Sequence, residues 1–99
     1  MSKYIITFRL EDTPTYNNRY QRLDDFLEQN TSDSYIDETT STLFCKGENL
    51  ARKLADANIL IDSDEVLLLK LNDTNKIVNA YRVSGSTLAK ADDILDFFN

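Results

Sequence analysis

The first strand constrains the fold of this chain more than any other segment. Polarity alternates along Lys3–Leu10, which predicts an extended strand with one face against a core. The buried face is predicted to comprise Tyr4, Ile6, Phe8 and Leu10. The opposite face carries a cation, Arg9. A strand with one apolar and one mixed face is typical of an antiparallel sheet that helices cover on one side.

Composition places the chain among ordered single-domain proteins. Its 99 residues can enclose one core, so we expect a single domain over residues 1–99. Hydrophobic residues make up 41%, and the two glycines and one proline are too few for a linker or tail. No apolar run has the length of a membrane span, and no signal-peptide core is present. We therefore expect a cytoplasmic protein without membrane contact.

The lack of histidine and the single cysteine exclude several kinds of site. A His and Cys zinc centre, a His-based triad and an internal disulfide cannot be built within one chain. Cys45 is interpreted as a small hydrophobic residue of an apolar strand. Only carboxylates remain as metal ligands, and they favour magnesium, manganese or calcium. The net charge of -6 and the scattered basic residues argue against a broad nucleic-acid groove on one subunit.

A helix and two β-rich runs follow the first strand. Thr13 or Thr15 is predicted to cap the helix. After a polar break over Asn30–Asp33, Ser34–Thr39 and Ser41–Lys46 predict a hairpin or one long bent strand. The apolar stripe of this helix comprises Tyr16, Tyr20, Leu23, Phe26 and Leu27. We interpret the stripe as part of the core, in preference to a surface on which nucleic-acid bases stack.

The second half begins with a short helix, Glu48–Ala57, for which Asn58 can supply a left-handed C-cap. An acidic turn, Asp62–Glu65, precedes an apolar strand, Val66–Leu71. The next strand, Lys76–Val83, is predicted to form a hairpin with it or to add to the sheet of a partner.

The C-terminal segment completes the expected fold. Ser84–Thr87 predicts the cap of a last helix. The apolar stripe of that helix is predicted to comprise Leu88, Ala91, Ile94, Leu95 and Phe98. The element order predicts an α+β fold, a ferredoxin-like βαββαβ sandwich with an added C-terminal strand and helix. Ile5, Thr7 and Arg9 then lie on the sheet face without helices, and burial of that face predicts a homodimer.

Several short motifs resemble a known family. A strand ending in Phe8-Arg9-Leu10 leads through Pro14 to a helix beginning at Tyr16. The motifs that follow are a Ser-Thr-Leu-Phe-Cys strand at Ser41–Cys45, an acidic turn before an apolar strand at Ile61–Leu68, and a later aromatic, Tyr81. In these features the chain resembles the small subunit of the CRISPR spacer-acquisition complex, the CRISPR-associated endoribonuclease family, and its stand-alone SinR-like and VapD-like relatives.

The resemblance draws attention to the end of the first strand. Members of the family that cut nucleic acid carry an aspartate there, one from each subunit, which holds a divalent metal near the dimer axis. The equivalent residue here is Arg9, whose guanidinium has no lone pair for a metal. Glu11 and Asp12 follow within three residues and offer carboxylates for magnesium or manganese, or else serve as charges at a helix entry.

Two functional hypotheses follow from this position. The first is a non-catalytic dimer that needs no cofactor and binds a protein or nucleic-acid partner in a prokaryotic defence, toxin-antitoxin or mobile-element system. Arg9, Thr7 and Ser41 are its candidate binding residues, and the alternative for Arg9 is a structural pairing with Glu11, Glu38 or another acid across the sheet. The second is a metal-dependent endoribonuclease that cuts RNA with Glu11 and Asp12, in a site ordered by Thr7 or Ser41.

A third hypothesis is a nucleic-acid mimic or inhibitor. Acidic side chains would then imitate phosphates in the basic groove of a partner. The candidate residues are Asp24, Asp25, Glu28, Asp62, Asp64, Glu65, Asp92, Asp93 and Asp96.

Overall fold

The computed structural model describes residues 1–36 and 41–99, with side chains except at positions 33–36. The described residues form six strands and three helices. The strands are β1 (Ser2–Arg9), β2 (Thr31–Ile36), β3 (Thr42–Gly47), β4 (Glu65–Leu71), β5 (Ile77–Ser84) and β6 (Thr87–Lys90). The helices are α1 (Tyr16–Asn30), α2 (Leu50–Asp56) and α3 (Asp92–Phe98).

All six strands belong to one sheet, in the spatial order β2-β3-β1-β4-β5-β6. Every neighbouring pair is antiparallel. The helix α1 joins β1 to β2, and α2 joins β3 to β4, so each of these helices connects two strands that run in the same direction with one strand between them. The α+β class predicted from the element order is confirmed. Within the described ranges, no helix has the length and apolar character needed to cross a membrane.

The alternation of side chains along β1 shows which face of the sheet forms the core. Tyr4 and Ile6 are buried, Phe8 packs partly buried against them, and Leu10 is buried just past the strand end, as predicted. The side chains of α1 and α2 that pack on this face belong to the same cluster, and they are Leu23, Phe26, Leu27, Leu50, Ala51, Leu54 and Ala55. A fully buried leucine or isoleucine contributes about 1.5 to 3 kcal/mol, so this layer between sheet and helices stabilises the fold.

The other sheet face is only partly covered. The helix α3 packs beside β5 on this side, where Arg82 of β5 binds Asp93 of α3 through two hydrogen bonds of 3.0 Å each. The side chains of β1, β3 and β4 on this face are half-buried or exposed. We call this side of the sheet the uncovered face, and its side chains include Ile5, Thr7, Arg9, Phe44, Leu67 and Leu69. Phe44 is 45% exposed, a high value for a large aromatic side chain in a sheet.

The strand β2 begins earlier than predicted. The polar break expected over Asn30–Asp33 is wrong, because Thr31 pairs with Gly47 and Ser32 with Lys46 in the sheet. The Thr31 hydroxyl also donates a hydrogen bond of 2.6 Å to the Leu27 carbonyl, so the helix ends directly at the strand. Pairing with β3 therefore outweighs the turn preference of these residues. The predicted boundary near residues 39 and 40 lies outside the described residues.

The middle of the chain follows the prediction more closely. The helix α2 begins at Leu50, two residues later than predicted, after Asn49 in the left-handed region at φ 51°. Asn58 has φ 54°, the left-handed conformation predicted for it. The strand β5 pairs with β4 of the same chain, which confirms the hairpin alternative.

The predicted C-terminal helix is present, but its predicted cap at Ser84–Thr87 is wrong. Ser84 and Thr87 pair across a two-residue hairpin turn between β5 and β6, and they do not cap a helix. Gly85 has φ 56° at the first turn position, and this positive φ suits a type II′ turn. Leu88 therefore lies on a strand, and α3 begins only at Asp92 and buries none of its side chains. Gly, Ser and Thr occur in both hairpin turns and helix caps, which explains the error.

Candidate functional site

An open groove lies on the uncovered face at the end of β1. Its cavity volume is about 190 Å³, and its lining includes Thr7, Arg9, Glu65 and Leu67. Arg9 is exposed, and its cross-strand neighbour on β4 is Glu65. The groove therefore combines one cation, one carboxylate and an apolar wall.

Glu65 is directed to a different cation. One of its carboxylate oxygens lies 3.6 Å from Arg82 Nε, and Arg82 also binds Asp93. The hydrogen bond from Arg82 holds the pKa of Asp93 below its usual range, and the same bond raises the pKa of Arg82. With the side chains described at positions 1–32 and 41–99, Arg9 forms no ion pair. Its guanidinium therefore faces solvent beside an apolar strip.

The two predicted binding residues beside Arg9 have different positions. Thr7 is half-buried, lines the same groove and pairs with Thr42 of β3. Ser41 is exposed, and its backbone carbonyl accepts a hydrogen bond of 3.1 Å from the Phe8 amide. The structure thus brings Thr7 and Arg9 together and places Ser41 just before β3. The proposed pairing of Arg9 with Glu38 lies outside the described residues.

The predicted catalytic pair, Glu11 and Asp12, lies in the loop between β1 and α1, and both residues are exposed. The Glu11 carboxylate accepts a hydrogen bond from the Ser63 hydroxyl. Among the described residues, the three carboxylates that come within 4.8 Å of one another belong to a different site, at Asp24, Asp25 and Glu28 of α1. Within the described part of the chain, Glu11 and Asp12 therefore do not belong to a group of three carboxylates.

A buried ion pair holds this loop. Arg19 Nη1 lies 2.6 Å from both carboxylate oxygens of Asp64, and the two side chains are 4% and 0% exposed. Arg19 also donates hydrogen bonds from Nη2 to the Glu11 carbonyl and the Thr13 hydroxyl, and from Nε to the Thr15 hydroxyl. These contacts occupy all five N–H donors of a guanidinium.

Asp64 is equally well satisfied. Besides Arg19, it accepts backbone hydrogen bonds from Glu11 at 2.8 Å and from Ile61 at 3.0 Å. The pair therefore ties the loop after β1 to the loop before β4, and it fixes where Glu11 lies. A buried charge is tolerated only when it is paired and hydrogen-bonded, and both conditions hold here.

The Arg19–Asp64 pair contradicts the role predicted for Asp64 and gives Arg19 a role that was not predicted. Asp64 was predicted among the surface acids of a nucleic-acid mimic, and that is wrong because its side chain is buried against Arg19. Arg19 is not among the functional residues predicted from the sequence. Its position four residues before Leu23, on the buried stripe of α1, was the available signal.

The remaining acids of the mimic hypothesis lie on α1, in the loop before β4, at the start of β4 and on α3. Asp25, Glu28 and Asp62 are exposed, and Asp24 is half-buried. Asp92 and Asp96 are exposed on α3, whereas Asp93 and Glu65 both pair with Arg82.

The other residues singled out by sequence have structural roles. Cys45 is buried, and burial raises the pKa of its thiol to about 11, so the unreactive thiol form dominates at neutral pH. Tyr16 and Tyr20 stack with ring centroids 6.2 Å apart, and Tyr20 also meets Phe8 edge to face. Tyr16 packs against the core, while Tyr20 is 44% exposed.

The comparisons with known proteins complete the description of this site. Neither protein-family models nor curated proteins nor solved structures gave a match to the chain.

Proposed function

We propose that this protein is a non-catalytic binding protein that presents Arg9, on the uncovered face, to an acidic group of a protein partner. The observation that carries this proposal is the exposure of the Arg9 guanidinium and its lack of a described ion-pair partner. Arg9 is exposed and forms no ion pair within the described ranges, because the neighbouring carboxylate of Glu65 is directed to Arg82. A guanidinium binds a carboxylate or phosphate through two parallel hydrogen bonds.

A protein partner fits the surroundings of Arg9 better than a nucleic acid does. Leu67 forms the apolar wall of the groove beside Arg9, Leu69 lies further along the same face, and the net charge of the chain is -6. Nucleic-acid affinity comes mainly from clusters of basic residues near phosphates. An arginine beside apolar side chains is instead typical of the centre of a protein interface.

The strand topology supports the ferredoxin-like fold within this proposal. Reversing the order of the first four strands gives β4-β1-β3-β2, with α1 and α2 as the two crossover helices. This is the split βαβ arrangement, to which β5, β6 and α3 are additions. The resemblance of the chain to the CRISPR-associated endoribonuclease family rests on the same layout. From that resemblance we infer a role in a prokaryotic defence or toxin-antitoxin system.

Homodimerisation is part of the proposal. Half-buried Ile5, Leu67 and Leu69 on one sheet face lose contact with water when a second copy covers them. A two-fold axis near the end of β1 would bring two Arg9 side chains to the same acidic group. Each subunit then contributes one guanidinium to the binding site.

The alternative is a metal-dependent endoribonuclease that uses Glu11 and Asp12 with magnesium or manganese. A hydrogen bond to Ser63 already engages the Glu11 carboxylate, and the Arg19–Asp64 pair holds its backbone. The position that bears the metal-binding acid in the similar nucleases carries a cation here. Both observations favour binding over catalysis.

A cleavage assay separates the two functions. Purified protein, incubated with RNA and magnesium or manganese, is expected to produce no more cleavage than an Asp12→Ala variant at the same concentration. The physical reason is that Arg9 repels a cation at the strand end and no third carboxylate joins Glu11 and Asp12 among the described residues. Cleavage that the wild type shows and Asp12→Ala lacks would support the nuclease instead.

A further inference from the structure

A second cavity lies on the opposite side of the sheet, next to α2. Its volume is about 240 Å³. The lining residues that matter here are Tyr4, Glu48, Arg52, Lys70, Tyr81 and Leu88. Tyr4 belongs to the core under the helices and pairs with Lys70 across β1 and β4, so this cavity is on the helix-bearing face, away from Arg9.

Lys70 is an unusual residue for its position. It shares a face of β4 with Val66 and Leu68, which are both buried completely or nearly so. Lys70 itself is half-buried, and none of the acidic side chains that the structure describes forms an ion pair with it. A partly desolvated cation without a counter-charge is stabilised when an anion binds beside it.

A second cation lines the same cavity. Arg52 of α2 is 54% exposed and lies 3.8 Å from Asp56, a long and solvated contact. Glu48 is the carboxylate of the lining, and one of its oxygens lies 3.6 Å from the amino group of Met1. The charged lining thus has two cations and one anion, a local positive excess on a chain of net charge -6. Such a concave positive site attracts anions.

The rest of the lining suits a flat apolar group. Tyr81 and Leu88 are half-buried and form an apolar wall, and both pack against the core. Burial raises the pKa of the Tyr4 phenol, so that its hydroxyl keeps its proton at neutral pH. Binding pockets for small molecules commonly combine an apolar wall with a few converging polar groups.

We propose that this cavity binds a small organic phosphate of about the size of a nucleoside monophosphate. The phosphate group pairs with Arg52 and Lys70, and the ring of the organic part of the ligand lies against Tyr81 and Leu88. Arginine and lysine both bind phosphate, the first through its planar fork and the second as a point charge. The inference does not rest on the proposed function, because the two sites lie on opposite faces of the sheet.

NMR titration with AMP tests the inference, with adenosine and inorganic phosphate as separate probes. Millimolar AMP is expected to shift the amide signals of Arg52, Tyr81 and Leu88 in a saturable way, and both fragments are expected to bind more weakly than AMP. Lys70→Gln and Arg52→Gln should each weaken AMP binding about ten-fold, the loss expected for one charge-assisted hydrogen bond. Lys53→Gln is the matched control, since Lys53 is an exposed residue of the same helix outside the lining.

Three results would overturn the inference. The first is the absence of saturable shifts at Tyr81 and Leu88. The second is adenosine binding as tightly as AMP, because the phosphate would then contribute nothing. The third is unchanged AMP affinity in the two charge variants. Arg52 is exposed on α2, so Arg52→Gln keeps the test valid if the Lys70 variant fails to fold.

Discussion

Replacing Arg19 with methionine is expected to lower the free energy of unfolding by about 3 to 5 kcal/mol, because Asp64 would remain buried without its cation. A domain of this size is stable by only about 5 to 15 kcal/mol, so the loss is a large fraction of the total free energy of unfolding. Urea unfolding followed by far-ultraviolet circular dichroism measures the change. The apparent melting temperature should fall in parallel.

A double-mutant cycle isolates the Arg19–Asp64 pair from other effects of substitution. Asp64→Leu should also be strongly destabilising, and the double variant should lose less than the sum of the two single losses, since neither charge is then left alone. Arg22→Met is the matched control, because Arg22 is exposed on the same helix. If Arg19→Met costs no more than Arg22→Met, the pair does not have the structural role assigned to it.

The second large effect concerns the uncovered face. Leu69→Glu should convert the proposed dimer to a monomer, raising its dissociation constant by about a hundred-fold or more, because each subunit would bury a carboxylate without a cation among the apolar side chains of the interface. Leu69 is half-buried beside Ile5 at the centre of this face. Light scattering after size-exclusion chromatography gives the mass, which should be about twice 11.4 kDa for the wild type.

The matched control for Leu69→Glu is Tyr20→Glu. Tyr20 is 44% exposed and lies on α1, on the other side of the sheet. This substitution adds the same charge at an exposed hydrophobic residue and should leave the mass unchanged. A wild-type monomer at high concentration, or equal dimer affinity in Leu69→Glu, would contradict the proposed dimer.

Local patterns were sufficient for the parts of the fold that repeat with a regular period. The alternation along β1 and the stripe of α1 place Tyr4, Ile6, Leu23 and Leu27 correctly in the core. Local patterns fail where the same residue types are typical of two different structures. Ser84–Thr87 has the residues of a helix cap and of a hairpin turn, and only pairing between β5 and β6 decides between them.

The site depends on contacts between distant parts of the chain, which a local pattern does not show. Arg19 and Asp64 are 45 residues apart, and nothing near either residue identifies the other as its partner. The exposure of Arg9 follows from the alternation of β1. The pairing of Glu65 with Arg82 instead requires the register of β4 against β5.

Manganese titration followed by NMR tests the central claim most directly, namely that the end of β1 holds a cation in place of a metal site. Paramagnetic Mn²⁺ broadens the signals of nearby amides. In the wild type, the amides from Thr7 to Asp12 should broaden no more than those of other exposed loops, whereas Arg9→Asp should show selective broadening there because carboxylates bind Mn²⁺. The acidic group Asp24, Asp25 and Glu28 serves as an internal reference. Selective, saturable broadening of Arg9, Glu11 and Asp12 in the wild type would contradict the account.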